Sequence, residues 1–160
     1  MSHTVTVTRT TTTTTTSAII INTGFLKTWP GVLKFFELIL GVVVVGLVAY
    51  YKNTYIKTDV YLFFLLMAVT FLIGTFLLLL SCLVSISTAS ILPKTIYIFL
   101  YHLFAFLLYL IASIVFLIEV DKIRNSNTYE PLFAAGIIGL IISVLYLGNT
   151  IFGYRSYKGL

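Results

Sequence analysis

Four apolar stretches dominate the sequence, and each is long enough to cross the hydrocarbon core of a bilayer. A helix needs roughly 20 mainly apolar residues to span a core about 30 Å thick. The stretches run approximately over residues 32–50, 60–84, 96–120 and 132–152. Only 9% of the residues are charged, whereas a soluble domain carries about 25%. The chain is therefore predicted to fold as an all-α, four-helix transmembrane bundle with short loops.

Proline and aromatic residues support these boundaries. Pro30, Pro93 and Pro131 precede spans one, three and four, where a missing amide hydrogen costs little. Tryptophan and tyrosine gather at the span ends, as amphipathic rings do at the headgroup level of a membrane. Both signals indicate the same span ends.

The first residues contain a threonine run, residues 10–16, that buries almost no apolar surface and cannot offset its ordering entropy. Residues 1–29 are therefore predicted to form a disordered, Thr-rich cytoplasmic tail. Residues 30–153 form the predicted four-span domain, and residues 154–160 form a short cytoplasmic tail. The cytoplasmic placement follows from the lysines and arginines, because six of the ten lie on the inner side when the N-terminus is inside.

Patterns for catalysis or cofactor binding are absent from the sequence. It contains no paired acids, Ser/His/Asp set, Cys/His metal spacing or phosphate-binding glycine loop. Its basic residues are scattered rather than gathered in a stripe, so nucleic acid is not an expected partner. We expect the chain not to be an enzyme and to carry no cofactor or metal.

A few polar residues within the spans are candidates for function. Lys34 and Glu37 share a helix face, and the long lysine stem is expected to snorkel to headgroups. Glu37 reaches water less easily and is interpreted as either a structural hydrogen-bonding group or a group that binds a ligand, lipid or proton. His102 lies at the same predicted depth, so Glu37 and His102 are predicted to form an intramembrane polar pair. Alternatively, His102 faces a water pocket or bonds a backbone carbonyl.

Small residues recur at every fourth position of span four, at Ala135, Gly139 and Ser143. This spacing lets another helix approach closely. The stripe is interpreted as a packing surface within the chain or, alternatively, as a homo-oligomer interface. Cys82, near the inner end of span two, is interpreted as a small packed thiol or, alternatively, as a palmitoylation site.

The end of the chain has the form tyrosine-x-x-bulky apolar residue, with Tyr157 and Leu160 at its key positions. This form resembles an endocytic sorting signal, which would be recognised as an extended peptide. Because few residues separate Tyr157 from the span, the alternative is an interfacial tyrosine in a short tail.

Residues 30–41 read Pro-Gly-Val-Leu-Lys-Phe-Phe-Glu-Leu-Ile-Leu-Gly. With four spans and short loops, this segment resembles a MARVEL-domain protein and is most similar to the branch containing MAL, plasmolipin and the chemokine-like-factor proteins. In that branch, span one often carries an acid followed four residues later by a small residue, and Glu37 and Gly41 match. The resemblance covers roughly residues 30–153.

The resemblance implies a protein of vesicle trafficking, membrane apposition or cell junctions, in the plasma membrane or vesicles. Its implied partners are membrane lipids, especially in cholesterol-rich membrane, and other membrane proteins. A second function class stays open, a small transporter or channel accessory subunit in which Glu37 and His102 mark an ion path. Proton flux in reconstituted vesicles distinguishes the two classes.

Overall fold

The structure is a computed structural model that describes residues 22–159. All the secondary structure in these residues is helical. Its α-helices are α1 (Trp29–Tyr50), α2 (Thr58–Val84), α3 (Ile86–Ile91), α4 (Ile96–Asp121) and α5 (Tyr129–Lys158). Short 3-10 helices cover Thr23–Lys27 and Leu92–Lys94. By length and composition, α1, α2, α4 and α5 can each cross a membrane. The predicted all-α, four-span fold is confirmed.

The four long helices form a ring in which each packs against two others. α1 packs against α2 and α5, and α4 packs against the same two helices. Short connections make successive long helices antiparallel, so α1 begins and α5 ends at the same end of the bundle. We call this the terminal end. The opposite end, formed by residues 51–57 and 122–128, is the loop end.

Each long helix turns one stripe of its surface into the bundle. The buried residues of α1 recur at spacings of three and four, as one face of a helix requires: Gly31, Lys34, Glu37, Gly41, Val44 and Val48. The opposite faces carry many exposed large apolar side chains. A helix that is apolar on nearly all sides is typical of a membrane span.

Aromatic side chains fill the middle of the bundle. Phe64 and Phe116 stack with ring centroids 4.3 Å apart. Phe71 lies 5.8 Å from Tyr146 and 6.2 Å from Tyr109, again between ring centroids. None of these five side chains is more than 6% exposed. This aromatic core separates the terminal end of the bundle from the loop end.

Polar contacts tie the two connections at the loop end together. The Asn53 amide donates to the hydroxyls of Ser126 and Thr128, at 3.1 and 2.6 Å. A Glu119 carboxylate oxygen at the end of α4 also lies 3.8 Å from the Lys57 ammonium. These contacts link the α1–α2 connection to the α4–α5 connection.

The N-terminal boundary differs from the predicted tail of residues 1–29. Residues 22–28, which we call the N-terminal segment, fold against the terminal end. The backbone N–H of Asn22 donates to the Leu83 carbonyl at the end of α2 at 2.7 Å, and Phe25 is only 8% exposed. Tertiary contacts therefore order a stretch that is too short to be predicted from its own pattern. The rest of the predicted tail, residues 1–21, lies outside the described residues.

The C-terminal boundary differs as well, because α5 continues to Lys158. Most of the predicted tail, residues 154–160, is thus helical. The helix ends at Gly159, whose φ of 71° provides a left-handed cap. Tyr157 lies in the last helical turn rather than in the extended chain that a sorting signal needs, so its placement favours an interfacial tyrosine. Leu160 lies outside the described residues.

Candidate functional site

Buried polar side chains gather in the terminal half of the bundle. They include Lys34, Glu37, Thr75, His102, Asn149 and Thr150. By helical rise, Glu37 lies about 12 Å from the first residue of α1. A polar group at such depth is costly unless it has a partner. The partner of each group therefore indicates its role.

Glu37 and Asn149 form the central contact of this site. The Asn149 Nδ2 atom donates to Glu37 Oε1 at 2.7 Å, and each residue is 2% exposed. The bond joins α1 to α5, which are neighbours in the ring. Glu37 Oε2 and Asn149 Oδ1 are buried without a hydrogen-bond partner within residues 22–159. The pair therefore ties two spans together and keeps two acceptor atoms for other donors.

His102 does not share a hydrogen bond with Glu37. Its Nδ1 atom donates to the Ile98 carbonyl at 2.7 Å, one helical turn earlier in α4. Its buried Nε2 atom has no hydrogen-bond partner in the described part of the chain. The predicted polar pair is not formed because α1 and α4 lie diagonally across the ring and Glu37 turns towards α5. The backbone bond of His102 is one of the alternatives that the sequence left open.

A hydroxyl cluster lies next to the aromatic core. The Thr75 hydroxyl is 2.8 Å from the Tyr146 hydroxyl and 3.2 Å from the Tyr101 hydroxyl. Both tyrosines donate to the Phe71 carbonyl at 3.3 Å. These bonds connect α2, α4 and α5 and satisfy the hydroxyls within the bundle. We therefore assign this cluster a structural role.

The small-residue stripe of α5 faces into the bundle. Ala135 is fully buried, Ser143 is 1% exposed and Gly139 is buried. A Cβ atom at Gly139 would meet the Ser113 hydroxyl on α4 and, at 3.0 Å, the Phe64 ring on α2. The missing side chain thus lets α5 approach two neighbouring helices. A homo-oligomer would have to use another face of the bundle.

A cavity of about 410 Å³, which we call the end cavity, lies at the terminal end. Its apolar lining includes Phe25, Pro30, Leu92, Pro93, Ile98 and Phe152. Its polar lining comprises Lys34, Cys82, Asn149, Arg155 and Ser156. Ligand pockets in proteins usually measure about 300–1,000 Å³ and combine apolar walls with a few polar groups. The end cavity has both properties.

Cys82 lies in the wall of the end cavity and is 2% exposed. It packs with Phe25 of the N-terminal segment and with Leu79 of α2. A palmitoylated cysteine has to be reached by an enzyme-held acyl donor at the bundle surface, whereas this thiol lies in a cavity wall and packs against Phe25. The placement favours the interpretation of Cys82 as a small packed thiol.

Asn149 is the functional candidate that the sequence reasoning missed. It interrupts the apolar run of span four, and a polar residue inside a membrane helix typically bonds across helices. This signal was present in the sequence. Its pairing with Glu37 was not, because that depends on which helices are neighbours in the ring.

The bond between Glu37 and Asn149 is expected to stabilise the bundle measurably. Replacing either residue with leucine leaves the other buried without its partner, and we expect each change to lower the free energy of unfolding by about 1–3 kcal/mol. The double variant should lose less free energy of unfolding than the two single variants lose together, and the difference, the coupling energy, should be on the order of 0.6–1.7 kcal/mol. Unfolding of the purified protein in mixed detergent micelles measures these values.

Two controls show whether the coupling measured by this double-mutant cycle is specific to Glu37 and Asn149. Thr150→Val removes only a bond to the Tyr146 carbonyl within α5 and should cost less than either leucine variant. A second cycle, with Glu37→Gln and His102→Gln, should be additive within about 0.5 kcal/mol, because the two residues share no bond. Stronger coupling of Glu37 to His102 than to Asn149 would contradict the observed pairing.

Comparison with known proteins identifies one family. The profile of MARVEL, the membrane-associating domain, matches residues 25–152. No curated protein and no solved structure matches the chain. The match begins at Phe25, inside the N-terminal segment, and so includes the part of the predicted tail that the structure shows to be folded. The resemblance to the MAL and plasmolipin branch stays a prediction.

Proposed function

Because the chain belongs to the MARVEL family of membrane-associating domains, we propose that it organises membranes in vesicle trafficking, membrane apposition or cell junctions. It is an integral, multi-pass membrane protein with four apolar spans. One observation carries the proposal: the aromatic core closes the middle of the bundle, while the outer faces are apolar. Such a bundle acts laterally, on lipids and on the spans of other membrane proteins.

The connections between the spans support the same proposal. Residues 51–57 and 122–128 at the loop end are too short to fold as a soluble domain. The connection at the terminal end, residues 85–95, consists almost entirely of α3 and a short 3-10 helix. Most of the described surface therefore belongs to the spans. We extend the proposal to cholesterol-rich membranes of the plasma membrane or vesicles and assign the chain no catalytic role.

The alternative function, a small transporter or channel accessory subunit, has less support. Glu37 is bonded to Asn149 and His102 to a backbone carbonyl, so the two do not form the proposed relay. Phe71, Tyr109 and Tyr146 also occupy the middle of the bundle. A path for ions would have to open this packing.

Proximity labelling tests the organising role. A labelling enzyme fused to the N-terminus should mark trafficking and junction proteins above the background of an unrelated four-span protein expressed at the same level. Labelling that equals this background would contradict the proposal. In parallel, purified protein in liposomes should show no proton flux above protein-free liposomes. Flux that Glu37→Gln abolishes would instead support the transporter alternative.

We also propose that both termini are cytoplasmic, as the distribution of basic residues predicts. The even number of spans supports a common side for the two chain ends. Epitope tags at either terminus should stain only after the plasma membrane of the cells is permeabilised. Staining of intact cells would contradict this orientation.

A further inference from the structure

Lys34 is enclosed in the end cavity rather than extended to headgroups outside the bundle. It is 5% exposed and lines the cavity. Within residues 22–159, no carboxylate lies within 4.0 Å of its ammonium. Glu37, one turn further along the same helix face, attracts the ammonium across a longer distance but is hydrogen-bonded to Asn149. A buried ammonium that contacts no anion directly is costly. Its surroundings therefore suit an anionic group that enters the cavity.

Arg155 places a second cation at the same cavity. It reaches the cavity from α5 and is exposed to solvent, whereas Lys34 lies on α1 and is buried. A guanidinium presents paired donors that match the oxygens of a phosphate. Ser156 adds a hydroxyl to the lining, and the remaining walls are largely apolar. Two cations beside apolar walls suit a ligand with an anionic head and an apolar chain.

The depth of the cavity also suits a lipid headgroup. Trp29, which is 72% exposed, precedes the lining residue Pro30, and Tyr154, which is 41% exposed, precedes Arg155. Exposed tryptophan and tyrosine at span ends lie at the headgroup level. The rim of the end cavity is therefore at the depth of lipid phosphates.

The charges of the described residues are distributed unequally between the two ends of the bundle. Glu37 is the single carboxylate in the terminal half, which carries the cations Lys27, Lys34, Lys94, Arg155 and Lys158. The loop end carries as many acids as bases: Asp59, Glu119, Asp121 and Glu130 with Lys52, Lys57, Lys122 and Arg124. Basic groups at a membrane surface attract anionic lipids. The end that contains the cavity is thus the end that concentrates such lipids.

We propose that the end cavity binds the phosphate headgroup of an anionic membrane lipid. Lys34 contacts the phosphate inside the cavity, Arg155 contacts it at the rim, and the apolar walls hold the first part of an acyl chain. This inference goes beyond the organising role, because a site for one headgroup does not depend on which trafficking or junction process the protein serves.

Thermal unfolding in a neutral maltoside detergent tests this site with three soluble probes. Dihexanoyl phosphatidic acid carries both the phosphate and acyl chains, dihexanoyl phosphatidylcholine lacks the net negative charge, and inorganic phosphate lacks the chains. We expect a saturable rise in unfolding temperature with the phosphatidic acid alone. Equal effects of the phosphatidylcholine, or of inorganic phosphate at the same concentration, would overturn the assignment to an anionic lipid.

Charge variants show whether the cavity is the site. Lys34→Gln and Arg155→Gln should each weaken phosphatidic acid binding by about tenfold or more, since each removes a charge-assisted contact. Lys34→Arg, which keeps the charge, should lose less affinity for phosphatidic acid than Lys34→Gln. Lys158→Gln is the matched control, because Lys158 is an exposed cation of α5 outside the cavity lining. An equal loss of affinity in Lys158→Gln would overturn the assignment to the end cavity, because it would indicate general attraction of the lipid to a basic surface.

Cys82 provides a readout that needs no charge variant. It is the only cysteine in the sequence and lies in the cavity wall. Saturating phosphatidic acid should slow the modification of Cys82 by a small methanethiosulfonate reagent in the wild-type protein, and phosphatidylcholine should not. Equal modification rates with and without phosphatidic acid would overturn the proposal even if Lys34→Gln failed to fold.

Discussion

Replacing Gly139 with leucine is expected to destabilise the bundle by about 1–3 kcal/mol or more, because the new side chain overfills a closed core. Its first carbon atom would already meet the Ser113 hydroxyl and lie 3.0 Å from the Phe64 ring. Phe64 cannot move aside easily, since it is fully buried and stacked on Phe116. Unfolding in mixed detergent micelles measures the loss.

Gly46→Leu is the matched control for this variant. Gly46 lies on the exposed face of α1, and a Cβ atom there would meet nothing within 4 Å. Leucine has a helix propensity about 1 kcal/mol more favourable than glycine, so we expect unchanged or slightly higher stability. If Gly139→Leu instead dispersed a homo-oligomer without lowering stability, the stripe would be an interface between copies and not an internal packing surface.

The spans could be predicted closely because their signals are local. Length and hydropathy require four membrane helices, and Pro93 and the aromatic residues indicate where they end. The end of α5 could not be placed in this way, because the helix continues through Gly153, directly after the apolar run, and ends only at Gly159. The N-terminal segment was missed for a different reason. Phe25 is ordered by packing against Leu79 and Cys82, which are distant in sequence.

The sequence could predict which polar residues lie within the spans but not which partners they contact. Glu37 and His102 were both placed inside spans, and both are buried. Their partners depend on the order of the helices around the ring, and the hydropathy pattern of one sequence carries no information on that order. The bond of Glu37 to Asn149 and the enclosure of Lys34 by the end cavity follow from this arrangement.

Gly31→Ala is expected to displace the N-terminal segment and uncover the end cavity. A Cβ atom at position 31 would collide with the backbone carbonyl of Phe25, which cannot rotate away as a side chain can. That carbonyl is held in place by Thr28, whose backbone amide and hydroxyl donate to it at 3.0 and 2.7 Å. The backbone must therefore shift at the junction between the N-terminal segment and α1, which should lower the free energy of unfolding by about 1–3 kcal/mol.

The single thiol reports this displacement directly. Phe25 covers Cys82, so releasing the N-terminal segment should speed maleimide labelling of Cys82 roughly 5–150-fold, the change that corresponds to about 1–3 kcal/mol. Gly46→Ala, in the same helix but with open space around it, should label at the wild-type rate. Equal labelling of the two variants would mean that the N-terminal segment does not cover Cys82. Faster labelling in Gly31→Ala alone would establish that residues 22–28 belong to the folded domain rather than to a tail.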